Sequence, residues 1–207
     1  MKKTRTPCAA FRARSGSLVA SSKWWRRDVE RSRRGLGSLK SLGRLAQARR
    51  AFVRAEGLGS QEATSGKGCL DLSQGDFELG WRGYEARWLA GRSIAEALGV
   101  RFPKWRGPGD RIGETVLVLN DHGPGDTIQF VRYLSMMEQV GVKPLFACAK
   151  KLRRLVGGYR SFAFAEPDDP NLQVGAQIAL SSLPYAFGTR LETIPANTPY
   201  LTPSPKG

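Results

Sequence analysis

From Leu36 to Leu58, apolar and small residues recur at helical spacing, at Leu36, Leu39, Leu42, Leu45, Ala48, Phe52 and Ala55. Gly43 divides two such runs and supplies a turn. A second helical unit comes next, with Gly68, Leu70 and Leu72 before Gly75 and with Phe77, Gly80, Tyr84 and Trp88 after it. Gly43 and Gly75 stand 32 residues apart. A spacing near ~34 residues with a glycine turn marks a helix–turn–helix repeat. The stretch between the units carries Gly57, Gly59, Gly66 and Gly68. Glycine is a poor helix former, so a frayed second helix is predicted there. Two units are fewer than the ~3 a helical solenoid needs, so they are expected to lean on the domain C-terminal to them. Residues 35–90 thus read as helical hairpins. Residues 91–114 read as a linker, turn-rich at Phe102-Pro103-Lys104-Trp105 and Gly107-Pro108-Gly109-Asp110, with Trp105 as its packing anchor.

The period changes at Thr115. Thr115-Val116-Leu117-Val118-Leu119 is a continuous β-rich run, suited to a strand buried on both faces. It ends at Asn120-Asp121-His122-Gly123-Pro124-Gly125-Asp126. Thr127 to Val140 then shows helical spacing at Ile128, Val131, Leu134 and Met137, with Phe130 on the flank, and Gly141 stops it. Val142 to Cys148 is a second predicted strand and Lys150 to Val156 a short basic amphipathic helix. Phe162-Ala163-Phe164 and Gln177-Ile178-Ala179-Leu180 are a third and a fourth strand. Alternating strand and helix over 115–206 imply crossover connections and a Rossmann-like parallel sheet. The expected class is therefore α + α/β.

Composition narrows the chemistry. Hydrophobic residues make up 41% of the 207, enough for a core. No run approaches the ~18 apolar residues of a membrane span. Cys8, Cys69 and Cys148 form no CxxC pair, which excludes a disulfide scaffold and a tetrahedral cysteine zinc site. The single histidine, His122, excludes a multi-histidine metal site. The net charge of +15 is concentrated: residues 1–54 carry 16 Lys/Arg against Asp28 and Glu30, and the remainder is near neutral. Such basicity taken whole would point to nucleic acid; taken by segment, it weakens that reading. Residues 1–34, rich in Arg, Ser and Lys, fit a disordered basic arm for nucleic acid or an anionic surface, a targeting segment, or a stretch without a role. Trp24-Trp25 beside Arg26-Arg27 could stack on bases, a weak signal from one pair. No apolar secretory core is present, and the expected location is cytoplasmic.

The loop Gly123-Pro124-Gly125-Asp126 lies between a predicted buried strand and a helix start, where open α/β sheets bind ligands. Glycines there let a ligand approach the backbone, and a helix start favours an anion. It is not a dinucleotide fingerprint, since no third glycine follows at the right spacing. Gly66-Lys67-Gly68 is not a P-loop, lacking the Ser/Thr and the earlier glycine. Asp126 has two readings: a helix N-cap, worth about 1 kcal/mol, or a general base facing a cleft.

Two resemblances add to this. Gly43, Leu45, Ala48, Phe52 and Ala55, and again Gly75, Phe77, Gly80 and Tyr84, resemble the tetratricopeptide repeat, with Gly80 in place of its small alanine. The string Gly75 to Trp88 resembles the last repeat of a bacterial family that fuses such repeats to a heptosyltransferase-like (family 9) glycosyltransferase domain. Arg101-Phe102-Pro103-Lys104-Trp105, Gly123 to Tyr133, and Ser182 to Thr189 running on to Tyr200-Leu201 look like the same family. The match covers roughly 36–202. The resemblance implies a GT-B fold, two Rossmann-like halves facing across a cleft, of which this chain looks like the acceptor-side half. It implies Asp126 as base on an acceptor hydroxyl, with His122, Gly123, Gly125, Thr127 and Gln129 as substrate-binding neighbours. It implies no cofactor and no metal, and as partner a separate donor-binding chain. The alternative is a protein-interaction module built on the repeats, without catalysis.

The chain departs from that family in three places. His122 stands where relatives have glutamine, and can still hydrogen-bond. Gly175 stands where an aspartate is usual. The sequence stops at Gly207, about where the first half of such a fold ends. Catalysis needs both substrates oriented together, so little or no transferase activity is expected of this chain alone.

Overall fold

The computed structural model describes residues 44–90, 102–157, 163–166, 169 and 171–201. The basic arm, the apolar positions Leu36, Leu39 and Leu42, the turn at Gly43, residues 91–101 of the linker and Phe162 lie outside the described residues.

The helical layer is built from α1 (Leu45–Gly57), α2 (Gln61–Ser73), α3 (Phe77–Tyr84) and the single turn α4 (Arg87–Ala90). Ser60 accepts from the Ala63 amide at 3.1 Å and starts α2; Asp76 accepts from the Leu79 amide at 3.1 Å and starts α3. Such caps satisfy amides that a helix start leaves without partners. Between α2 and α3 the chain turns at Gly75, whose φ of +86° suits glycine. Ala48, Phe52, Ala63 and Leu70 form the small core of this layer. The buried Asp71 ties α2 to α1 through Arg49, 2.6 Å away, with Lys67 at 3.3 Å.

The expected fraying of the second helix does not occur: α2 runs unbroken for 13 residues through Gly66 and Gly68. Both glycines sit where other elements press against the helix. A Cβ on Gly66 would fall 2.8 Å from Phe52 Cζ, and one on Gly68 would fall 2.7 Å from the Gly83 carbonyl carbon. What propensity costs the helix, close packing returns.

The second layer is a four-stranded, fully parallel sheet in the order β3-β2-β1-β4. Its strands are β1 (Thr115–Leu119), β2 (Lys143–Ala147), β3 (Ala163–Phe164) and β4 (Ala176–Ala179). Thr115 pairs with Lys143, and Val116 with Ala176. This is α/β architecture with a Rossmann-like strand order, as the alternation of elements predicts. Successive β1 residues point to opposite faces. Val116 and Val118 enter the main core with Trp105, Leu134, Met137 and Phe146. Leu117 and Leu119 pack on the other face with Ala147 and Ala165. Trp105 is fully buried and donates its indole N–H to the Asp110 carbonyl at 2.9 Å.

The helix after β1 begins three residues before the expected Thr127 and is divided at Val131, giving α5 (Pro124–Phe130) and α6 (Arg132–Gln139). Proline is well placed at a first helical position, where its missing N–H costs nothing. Helix α7 (Lys150–Gly157) turns Leu152 and Val156 into the core. After β4 come a 3-10 turn (Leu180–Ser182) and the short α8 (Leu183–Ala186). At the opposite edge of the sheet, Glu114 fills the space over Gly175: a Cβ there would lie 2.8 Å from Glu114 Cδ. A side chain at 175 would require the half-exposed Glu114 carboxylate to swing aside.

Candidate functional site

The chain leaves β1 toward β2, yet β4, reached last, lies on the other side of β1. β1 and β4 are neighbours in the sheet, so the segments that leave them lie side by side at its C-terminal edge, where open α/β sheets bind ligands. The loop 120–123 and the turn 180–182 meet at this point, and α2 and α3 cover it.

Gly123 is the N-cap of α5, so Asp126 falls at the third helical position and is not the cap. Its exposed carboxylate forms no hydrogen bond or ion pair among the described residues. It opens into a groove of about 480 Å³ between the two layers. One wall is helical, from Cys69, Leu72 and Ser73 on α2 and from Phe77, Trp81 and Tyr84 on or at the end of α3. The other carries Asp126, Gln129, Phe130, Arg132, Tyr133, Thr189 and Ile194. Trp81 joins the walls, with its ring centroid 6.2 Å from that of Phe130 in an edge-to-face contact. Its indole nitrogen is buried and has no acceptor among the described residues. Arg132 is committed to structure: Nη1 donates to the Pro195 carbonyl at 2.8 Å and Nη2 to Tyr200 Oη at 3.0 Å. The Tyr133 hydroxyl donates to Thr189 Oγ1 at 3.1 Å. Burial raises the Tyr133 phenol above its ordinary value, against the opposing pull of Thr189 and Arg132.

Of the residues expected at a site, Asp126 and Gln129 line this groove; His122, Gly123, Gly125 and Thr127 do not. Thr127 is buried, with its hydroxyl 2.9 Å from Asn120 Oδ1 and 3.0 Å from the Gly123 carbonyl. It braces the loop from inside. Gly123 has a φ of −72°, so its conformation does not demand glycine. A Cβ on Gly125 would meet nothing within 4 Å, and one on Gly123 only Asp126 Oδ2 at 3.9 Å. His122 is about one-third exposed, and its Nε2 lies 2.7 Å from the Tyr84 hydroxyl.

A polar cluster that pattern reading missed fastens the layers together. Asp121 is buried, accepting from the Ser181 amide at 3.1 Å and from the Ser181 hydroxyl. The Arg87 guanidinium donates to Ser181 Oγ and Ser182 Oγ, both at 2.8 Å, and to Glu85 Oε1 at 2.7 Å. It lies 3.7 Å from Asp121 Oδ2. Its carbon sits 4.0 Å from the Tyr84 ring centroid and 4.1 Å from that of Trp88. Glu85 also takes Ser182 Oγ at 2.8 Å and Lys104 at 2.8 Å. Burial raises the Tyr84 phenol, with Arg87 opposing. The available signal was the pairing of Glu85 and Arg87 just after an amphipathic helix; their serine partners lie more than 90 residues away.

Among the described residues, no three His, Cys, Asp or Glu side chains come together to hold a metal ion. Among them, no helix is long and apolar enough to cross a membrane. No family model, curated protein or solved structure matches the chain.

Proposed function

We propose that the chain is the acceptor-side half of a GT-B-type glycosyltransferase, with its helical hairpins forming one wall of the acceptor groove. One observation carries this reading: the Asp126 carboxylate, without a partner among the described residues, opens at the C-terminal edge of the parallel sheet into an aromatic-walled groove. Ring faces suit the apolar face of a sugar, and a few polar groups fix its orientation. Asp126 is the group to take the hydroxyl proton as the glycosidic bond forms. A donor-binding half, carrying the nucleotide sugar, completes the cleft. The reading of the helices as a separate protein-interaction module draws less support, because Trp81, Tyr84 and Arg87 are spent on the α/β layer.

The first test is ligand binding by saturation-transfer NMR with methyl α-D-glucopyranoside and methyl α-D-mannopyranoside. Binding that weakens in Asp126→Asn and in Gln129→Ala supports the reading. Absence of binding by the wild-type chain, or binding indifferent to both substitutions, rejects it.

A further inference from the structure

The groove makes no use of the positive charge concentrated at the start of the chain. Residues 1–54 carry 16 Lys/Arg against Asp28 and Glu30, and the last of them lie in α1. Helix α1 turns Ala48 and Phe52 into the core, and its Arg49 is spent on the buried Asp71. Its outer face carries Arg50, Val53 and Arg54, at the three- and four-residue spacing that puts side chains on one side of a helix. Arg50 and Arg54 are exposed and form no ion pair among the described residues. Arg44, at the start of the helix, is exposed as well. Val53 is 50% exposed, and Leu58, at the end of the helix, 61%. The face is cationic and apolar at once. It follows directly in the chain on a basic arm that holds Trp24-Trp25 beside Arg26-Arg27.

Two kinds of polyanion attract such a surface. A nucleic acid takes the cations through its phosphates and gains little from aliphatic side chains. An anionic bilayer takes both: acidic headgroups attract the cations, and the interface accepts aliphatic side chains and tryptophan. The half-exposed Val53 and Leu58 on the cationic face therefore favour lipid. We propose that the outer face of α1, together with the basic arm that precedes it, docks the protein on an anionic lipid surface. The docking is independent of what the groove binds. Each Lys or Arg brought near such a surface raises binding by about fivefold, so one arginine is a weak anchor and a cluster is a strong one.

The test is co-sedimentation of the full chain with phosphatidylcholine vesicles, plain or with a quarter of the lipid as phosphatidylglycerol. Binding is expected to the anionic vesicles alone. It should fall steeply between about 0.1 M and 1 M salt, as the screening length drops from ~10 to ~3 Å. Arg50→Gln/Arg54→Gln should weaken it by about 25-fold, two losses of about fivefold. Lys151→Gln/Arg154→Gln, at exposed positions of α7, makes the same change in net charge and should leave binding within about twofold. Val53→Ser/Leu58→Ser should weaken vesicle binding and leave the affinity for a short DNA duplex unchanged. All these positions are exposed, so the variants are expected to fold. Equal losses in the α1 and α7 arginine and lysine pairs would show that total charge alone matters, and would overturn the docking face. Absence of binding to the anionic vesicles, or equal binding to the plain ones, rejects the proposal. Tighter binding to the duplex than to the anionic vesicles would make the surface a nucleic-acid site and overturn the lipid assignment.

Discussion

Gly68→Ala probes the feature on which the groove depends, the close crossing of α2 and α3. An added Cβ would lie 2.7 Å from the Gly83 carbonyl carbon and 2.8 Å from the Gly80 oxygen, with the Tyr84 amide nitrogen closer still. Ordinary contact begins at 3.4 Å, and all three atoms are backbone, so no rotamer change relieves the clash. The helices must separate by more than half an ångström. Overpacking of this kind costs about 3 kcal/mol or somewhat more. Alanine returns about 1 kcal/mol of helix propensity. The net loss is about 2 kcal/mol, or ~4–8 °C in melting temperature for a domain of this size. Urea denaturation followed by tryptophan fluorescence reads it as a lower midpoint at unchanged slope. Gly57→Ala is the control, since its Cβ would meet nothing within 4 Å; it should be neutral or slightly stabilising. Because α2 and α3 carry Cys69, Leu72, Phe77, Trp81 and Tyr84, the same variant should also weaken glycoside binding. A Gly68→Ala chain as stable as wild type would refute the close-crossing argument, whatever happened to binding.

Arg87→Met should cost about 3 kcal/mol, because it leaves the buried Asp121 without its cation; a loss below about 1 kcal/mol in urea would show that the serines alone satisfy that carboxylate. Burial pushes the Cys148 thiol up, so in a Cys8→Ser chain a disulfide reagent should label Cys69 in the native state and Cys148 only on unfolding. Equal native rates would contradict the burial of Cys148. Tyr84 and Tyr133 hold their protons more tightly folded than unfolded. Their contribution is therefore complete below the ordinary phenol value of 10.0 and is lost as pH rises through the higher folded values. Urea midpoints should fall less steeply above pH 10 in Tyr133→Phe than in wild type; parallel profiles would rule this out.

The α/β layer was legible because its signals are local. Five consecutive β-formers at Thr115–Leu119 leave little choice but a buried strand, and Gly141, with φ +80°, ends its helix where a turn was expected. The start of α5 was misjudged because a proline reads as a breaker, although it is well tolerated at a first helical position. Propensity misled more seriously in α2. Gly66 and Gly68 weaken an isolated helix, and nothing local says that Phe52 and the backbone of α3 require their missing side chains. The strand–loop–helix order marked Asp126 as either a cap or a base, and only the fold shows that it is the third helical residue, not the cap. Thr127 was not separable from it, because only the fold turns Thr127 inward to Asn120 while Asp126 faces out.

The least legible feature, the junction between the layers, says most about function. Pattern reading divides the chain at the linker and assigns binding to one side or the other. The groove belongs to both sides: Asp126 and Gln129 come from the sheet edge, and Trp81 and Tyr84 from the helical layer. The junction is held by a buried Arg87–Asp121–Ser181 cluster rather than by an apolar seam alone. Such a cluster tolerates few geometries, because each donor must meet its acceptor and an unmet buried charge is costly. Polar fastening therefore sets the distance between Tyr84 and the loop after β1 more narrowly than hydrophobic contact would. On the proposed reading of the groove as a ligand site, changes at the groove face of α3 should alter which ligand binds while leaving the sheet edge and Asp126 as they are.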